Sequence, residues 1–148
     1  MTPVDASQLD HCPEEGRYGD CHSAALASLL DLTLDQVPLF FDGRPASECW
    51  DHVAKFLASY DLALVDVVFG KEFTLEEVLR SQQSTNPDVY YTLGVCSPKG
   101  HGHTVVCCGG EVVHDPTYPV DATQYRPMDD GFWWVGYLVP LGLTRRQK

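Results

Sequence analysis

Residues 19–30 read Gly-Asp-Cys-His-Ser-Ala-Ala-Leu-Ala-Ser-Leu-Leu, a cysteine set just ahead of a small, apolar run. Asp20 is a residue type that caps helices, so the stretch predicts a helix from about Cys21 to Asp31. Cys21 then sits in the first turn, where unpaired backbone N–H groups and the helix dipole favour negative charge. Such an environment draws a thiol toward its reactive thiolate. Asp20 and Cys21 thereby also mark a place where an oxyanion would be stabilised.

The second stretch that carries chemistry is residues 101–116, His-Gly-His-Thr-Val-Val-Cys-Cys-Gly-Gly-Glu-Val-Val-His-Asp-Pro. It reads as a β-hairpin turning at Gly109-Gly110, with His103 opening one strand and Asp115 closing the other. A histidine held by a carboxylate is the general-base module that activates a nucleophile. Register decides whether the two meet. A two-residue Gly-Gly loop pairs Cys108 with Glu111 and leaves His103 and Asp115 on opposite faces, so that His114 becomes the alternative third member. A three-residue loop, Cys108 to Gly110 with Gly110 left-handed, sets Asp115 opposite His103. The odd loop, or a bulge with the same effect, is the expectation.

Working outward, residues 1–18 are turn-rich. Thr33-Leu-Asp-Gln36 has capping-box spacing for a short helix that stops near Pro38. Ser47 is placed to cap an amphipathic helix with Trp50, Val53, Ala54 and Leu57 on one face. Residues 63–69 read as a strand, 74–80 as a helix and 81–88 as a polar loop. After these come only strand signals, at 89–96, 104–108, 111–114 and 132–141. Helices first and antiparallel strands afterwards is the α+β pattern, with helices on one side of a sheet and a site between the layers. In Phe132-Trp133-Trp134, alternation sends Trp133 to one face and its neighbours to the other, one of them facing the groove near Cys21.

The 148 residues suit a single domain spanning 1–148, with a polar tail at 142–148. A net charge of −11 argues against binding nucleic acid or anionic membrane and favours a basic partner. The first residues show neither a basic nor an apolar signal region, so the expectation is a cytoplasmic protein. The six cysteines, Cys12, Cys21, Cys49, Cys96, Cys107 and Cys108, are accordingly read as free thiols. Cys96 and the oppositely facing pair Cys107 and Cys108 lie in strand-like runs, where a buried small hydrophobe is the default.

Gly-Asp-Cys on a helix, followed by His-x-Val-Val-x-x-Gly-Gly-x-x-Val-x-Asp-Pro on a hairpin, resembles the papain-like cysteine peptidase superfamily. The resemblance is nearest to small bacteriocin-processing-type peptidases and related single-domain proteins of bacteria and their phages. It covers residues 19–41 and 101–118. It implies a papain-like α+β domain and a thiol protease, or amidase, that hydrolyses a peptide, isopeptide or other amide bond. In that scheme Cys21 attacks, His103 shuttles the proton and Asp115 orients it, with no cofactor. One departure stands out. Six residues before its cysteine the family carries a glutamine that donates to the oxyanion, and here that position is Glu15. A carboxylate accepts rather than donates, which leaves the Cys21 N–H and groups between Glu14 and Asp20, Arg17 among them.

Two further readings stay open: a papain-like binding or inhibitory module in which Glu15 marks lost catalysis, and an acyltransferase of transglutaminase-like type. Metal binding is the competing chemistry, since His101 and His103 would share a strand face and His11, Cys12, Cys21 and His22 are further ligand types. No spacing among them is the tight kind that zinc prefers, so no metal is expected.

Overall fold

The computed structural model describes residues 1–144. Three helices of at least ten residues and five strands form an α+β fold: α1 (Cys21–Leu30), α2 (Ala46–Ala58), β1 (Leu62–Gly70), α3 (Leu75–Thr85), β2 (Tyr90–Cys96), β3 (Gly102–Cys108), β4 (Glu111–His114) and β5 (Phe132–Pro140). A four-residue helix, α4 (Leu141–Thr144), stands where the polar tail was expected to begin, and residues 145–148 lie outside the described ones.

The strands make one antiparallel sheet in the order β1-β5-β2-β3-β4. Its two faces are covered by different helices. Leu26, Ala27, Phe40, Val53 and Leu57, from α1, α2 and the segment between them, pack with Leu62, Leu64 and Leu138. Leu75 and Val78 of α3 instead join Tyr91, Leu93, Val105, Trp133 and Val135. The expectation of helices on one side is thus corrected: β1 separates α2 from α3 in the chain, and α3 crosses to the other face. Both faces of β2, β3 and β5 are thereby buried, which gives these strands near-continuous apolar sequences.

Local signals are realised with small shifts. The capping box at Thr33 and Gln36 forms, but over a single 3-10 turn at Leu34–Gln36. Helix α2 starts one residue before Ser47, with Pro45 at its N-cap; Cys49, Val53 and Leu57 are its buried stripe and Ala54 is exposed. Helix α3 begins with a formed capping box at Thr74 and Glu77, and it runs to Thr85, into the expected loop. Its far end carries the β3–β4 turn, where the Gly110 N–H donates to Gln83 Oε1 at 2.9 Å.

Residues 2–8 run beside α1 toward the end of β4. The N–H groups of Thr2 and Val4 donate to Ser28 O (3.2 Å) and Ser28 Oγ (2.9 Å), and the Ala6 N–H donates to Pro116 O at 2.8 Å. Asp20 does not cap α1 with its side chain. Its carboxylate accepts instead from the Ser7 hydroxyl (2.6 Å) and the N–H groups of Ser7 (3.0 Å) and Gln8 (3.1 Å), clamping the amino-terminal segment to the start of the helix. All six cysteines are free thiols.

Candidate active site

The hairpin decides the site. Its turn is the two-residue Gly109-Gly110 loop, with Cys108 opposite Glu111 and Cys107 opposite Val112. The expected three-residue loop does not form, and the left-handed residue is Gly109 (φ 54°), not Gly110. A register shift between Val106 and Cys107 then pairs Val106 with His114 and leaves Val113 as the extra residue. One extra residue inverts the alternation beyond it. Asp115 therefore falls on the face of His103 and Val105, while His114 turns to the opposite face. The bulge supplies what the odd loop was expected to do.

His103 and Asp115 meet directly, with the His103 Nε2–H donating to Asp115 Oδ1 at 2.8 Å between two fully covered side chains. Asp115 Oδ1 also accepts the N–H groups of Thr117 (2.9 Å) and Tyr118 (3.0 Å), and Oδ2 takes the Tyr125 hydroxyl at 2.5 Å. Burial alone would favour the neutral acid. These donors, His103 foremost, outweigh it and hold the carboxyl below its usual range.

The Cys21 side chain also interacts with the His103 ring and favours its charged form. With Nε2 committed to Asp115, Nδ1 is the nitrogen that serves the thiol. Burial pulls the imidazole down, but Asp115 and then Cys21 more than offset it and push it up to about 9. Tyr118 packs edge-on against the ring at 5.4 Å, fixing its plane. Thiol, imidazole and carboxylate thus form one chain, and Cys21 lies at the N-terminus of α1 as read from the sequence.

The chain opens onto a cleft of about 600 Å³ lined by Cys21, His103, Gln8, His22, Trp50 and Trp134, among others. The alternation read in the aromatic segment holds: Trp133 is buried, its Nε1–H donating to Phe73 O, while Trp134 faces the cleft over Gly94. Gly136 lies beside Trp134 in β5, and a Cβ there would come within 2.4 Å of Thr92 Oγ1, so only glycine fits.

Three expected members stand elsewhere. Glu15 is exposed on the 3-10 turn Pro13–Glu15, paired with Arg17, and does not line the cleft. Arg17 also holds Asp10 at 2.8 Å, so it offers no donor to the cleft either. His114 donates from Nε2 to Val4 O at 2.8 Å and is a tie for the amino-terminal segment, not a third catalytic member.

Gln8 is the residue that spacing missed. It lines the same cleft as Cys21, its backbone held by Asp20. Its side-chain amide gives one N–H to Asp10 O at 2.8 Å and retains a second. One signal was available: Gln8 is the only glutamine ahead of Cys21.

His101 precedes β3 and packs against His11 at 5.1 Å, so it does not share a strand face with His103. Among the described residues no group of three or more His, Cys, Asp or Glu is arranged to hold a metal ion. No described helix is long and apolar enough to cross a membrane.

No family model matches the chain, and no curated protein or solved structure is significantly similar to it. What the site does is carried by its own chemistry.

Proposed function

We propose that this protein is a cysteine-dependent hydrolase of papain-like kind, cleaving a peptide, isopeptide or other amide bond. The observation that carries the proposal is the buried Asp115–His103 pair beside a cysteine at a helix N-terminus, with Cys21 and His103 at the wall of one cleft. An imidazole pushed up to about 9 favours the imidazolium, the form that stabilises a thiolate beside it.

The Cys21 thiolate attacks the carbonyl carbon, forming a C–S bond and moving the carbonyl electron pair onto oxygen. That oxyanion is met by the Cys21 N–H at the start of α1 and by the free N–H of the Gln8 amide. His103 then gives its proton to the departing amine as the C–N bond breaks, leaving a thioester. Water, deprotonated by the now neutral His103, attacks the thioester and releases the acid and the thiolate. Asp115 holds the ring and favours its charged form throughout. An amine acceptor in place of water would make the same site an acyltransferase. Gln8 also supplies a donor that Glu15 lacks, which favours the hydrolase over a catalytically lost binding module.

An electrophilic thiol probe tests the proposal. Cys21 is expected to label at neutral pH, and His103→Ala to abolish the labelling. Failure of Cys21 to label in the wild type overturns the reading. Product formation that requires an added amine would assign the transferase form.

A further inference from the structure

The cleft continues past Cys21 to a second buried imidazole that this chemistry does not use. His22 is only 8% exposed, and among the described residues its Nε2 is the one buried side-chain nitrogen or oxygen without a hydrogen-bond partner. Its ring lines the cleft, with Phe41 (5.3 Å) and Trp50 (5.4 Å) edge-on against it and 5.1 Å from each other. Burial pushes the imidazole down to about 4, so it is neutral at physiological pH. A neutral imidazole carries one N–H and one lone pair. Nδ1 lies 3.2 Å from Thr104 Oγ1. An orphaned acceptor costs less than an orphaned N–H, which assigns the proton to Nδ1 and the bare lone pair to Nε2.

A buried acceptor without a donor calls for one from a ligand. The rest of the cleft says which kind. Among the described residues no lysine or arginine lines it, and its two carboxylates are Asp66 and Asp130. Asp130 is satisfied by the Trp134 Nε1–H (2.8 Å) and the Phe132 N–H (3.0 Å). Asp66, on the edge strand β1, is exposed and has no hydrogen-bonding or ionic partner among the described residues. Aromatic faces, a lone-pair acceptor and an uncompensated carboxylate have one complement in common, a cation that donates hydrogen bonds.

We propose that the end of the cleft bounded by His22, Phe41 and Trp50 is a pocket for a lysine- or arginine-type side chain flanking the scissile amide. Nε2 of His22 accepts one N–H of the head group once the Phe41 and Trp50 rings that cover it part to admit the ligand, and Asp66 supplies the balancing negative field. This rests on the hydrolase reading and narrows its substrates to basic peptides or lysine-bearing conjugates.

The test uses the intact protein and N-acetyl-aminoacyl acyloxymethyl ketones bearing lysine, arginine, norleucine, glutamine or glutamate, with iodoacetamide as an uncharged control. The second-order rate of Cys21 labelling is expected to be at least about tenfold higher for lysine and arginine than for norleucine and glutamine, and lowest for glutamate. His22→Phe should erase the preference, and His22→Gln, which keeps an acceptor, should restore part of it. Equal rates for lysine and norleucine in the wild type overturn the pocket and leave the hydrolase standing. If neither the ketones nor iodoacetamide label Cys21, the hydrolase reading fails instead. A tryptophan-fluorescence titration of the wild type with N-acetyl-lysine amide against N-acetyl-norleucine amide then decides the pocket alone. Tighter saturation by the lysine amide supports it, and equal or absent saturation overturns it.

Discussion

Two of the histidines that line the cleft, His22 and His103, are buried to nearly the same extent, yet their chemistry diverges. His103 has Asp115 at 2.8 Å and is pushed up to about 9. His22, which follows Cys21 in the chain, has aromatic rings around it and is pushed down to about 4. Burial lowers both, and the buried carboxylate reverses the sign in one of them. The same side chain thus favours its charged form at one end of the cleft and its neutral form at the other. Neighbours within hydrogen-bond reach decide the role, not depth.

The sharpest way to break this comparison is to delete each ring. His103→Ala is expected to lower turnover of an amide substrate by on the order of 10⁴-fold. His22→Phe should lower it only about tenfold, and on cationic substrates. Equal losses measured by steady-state kinetics would show that the two imidazoles act as one unit.

Removing the carboxylate tests the cause of the difference. Asp115→Ala should cost roughly 10²- to 10⁴-fold in rate. It should also move the alkaline limb of the pH–rate profile down from about 9 toward the ordinary 6.5, since the carboxylate that accepts from His103 is no longer there to favour the imidazolium. An unmoved limb would mean that Asp115 does not set the charge on His103.

The oxyanion donor provides a smaller contrast. Gln8→Ala is expected to reduce kcat about 10²-fold with little change in substrate affinity. Glu15→Ala, at an exposed position outside the cleft, should stay within about twofold. A reversed order would return the role to the position six before Cys21.

The smallest effect is on stability. His22 has a depressed folded value, so its contribution is present above 6.5 and is lost as pH falls toward about 4. His103 has a raised value, so its contribution is full below 6.5 and is lost as pH rises through about 9. Between pH 7.5 and pH 5 the His22 contribution falls by about 2 kcal/mol. Urea unfolding at both values should therefore show the His22→Phe variant losing about 2 kcal/mol less than the wild type over that interval. Parallel behaviour of the two proteins would place His22 in contact with water.

Much of the site was legible in residues that are near one another in sequence. A cysteine ahead of Ser-Ala-Ala-Leu-Ala encodes a helix start within one turn. Gly109-Gly110 between apolar runs encodes a hairpin whose open end must hold His103 and Asp115 together. The α+β class followed from helical periodicity giving way to strand periodicity. The side of the sheet that α3 covers was not legible, because an amphipathic helix declares that it has an apolar face without declaring which surface receives it.

By itself, then, the sequence determined which groups meet at the candidate site: the Cys21 thiol, the His103 imidazole and the Asp115 carboxylate, each placed by local periodicity and turn chemistry. The tertiary structure decided how they are aimed. Only the bulge at Val113 sets Asp115 on the face of His103, and a one-residue slip has no local signature when both registers bury valines equally well. Only the clamp of Asp20 on the segment holding Ser7 brings Gln8 to the cleft, and only the convergence of Phe41 and Trp50 leaves His22 Nε2 without a hydrogen-bond partner. These are contacts between residues far apart in the chain, and their energies exist only once the layers have closed.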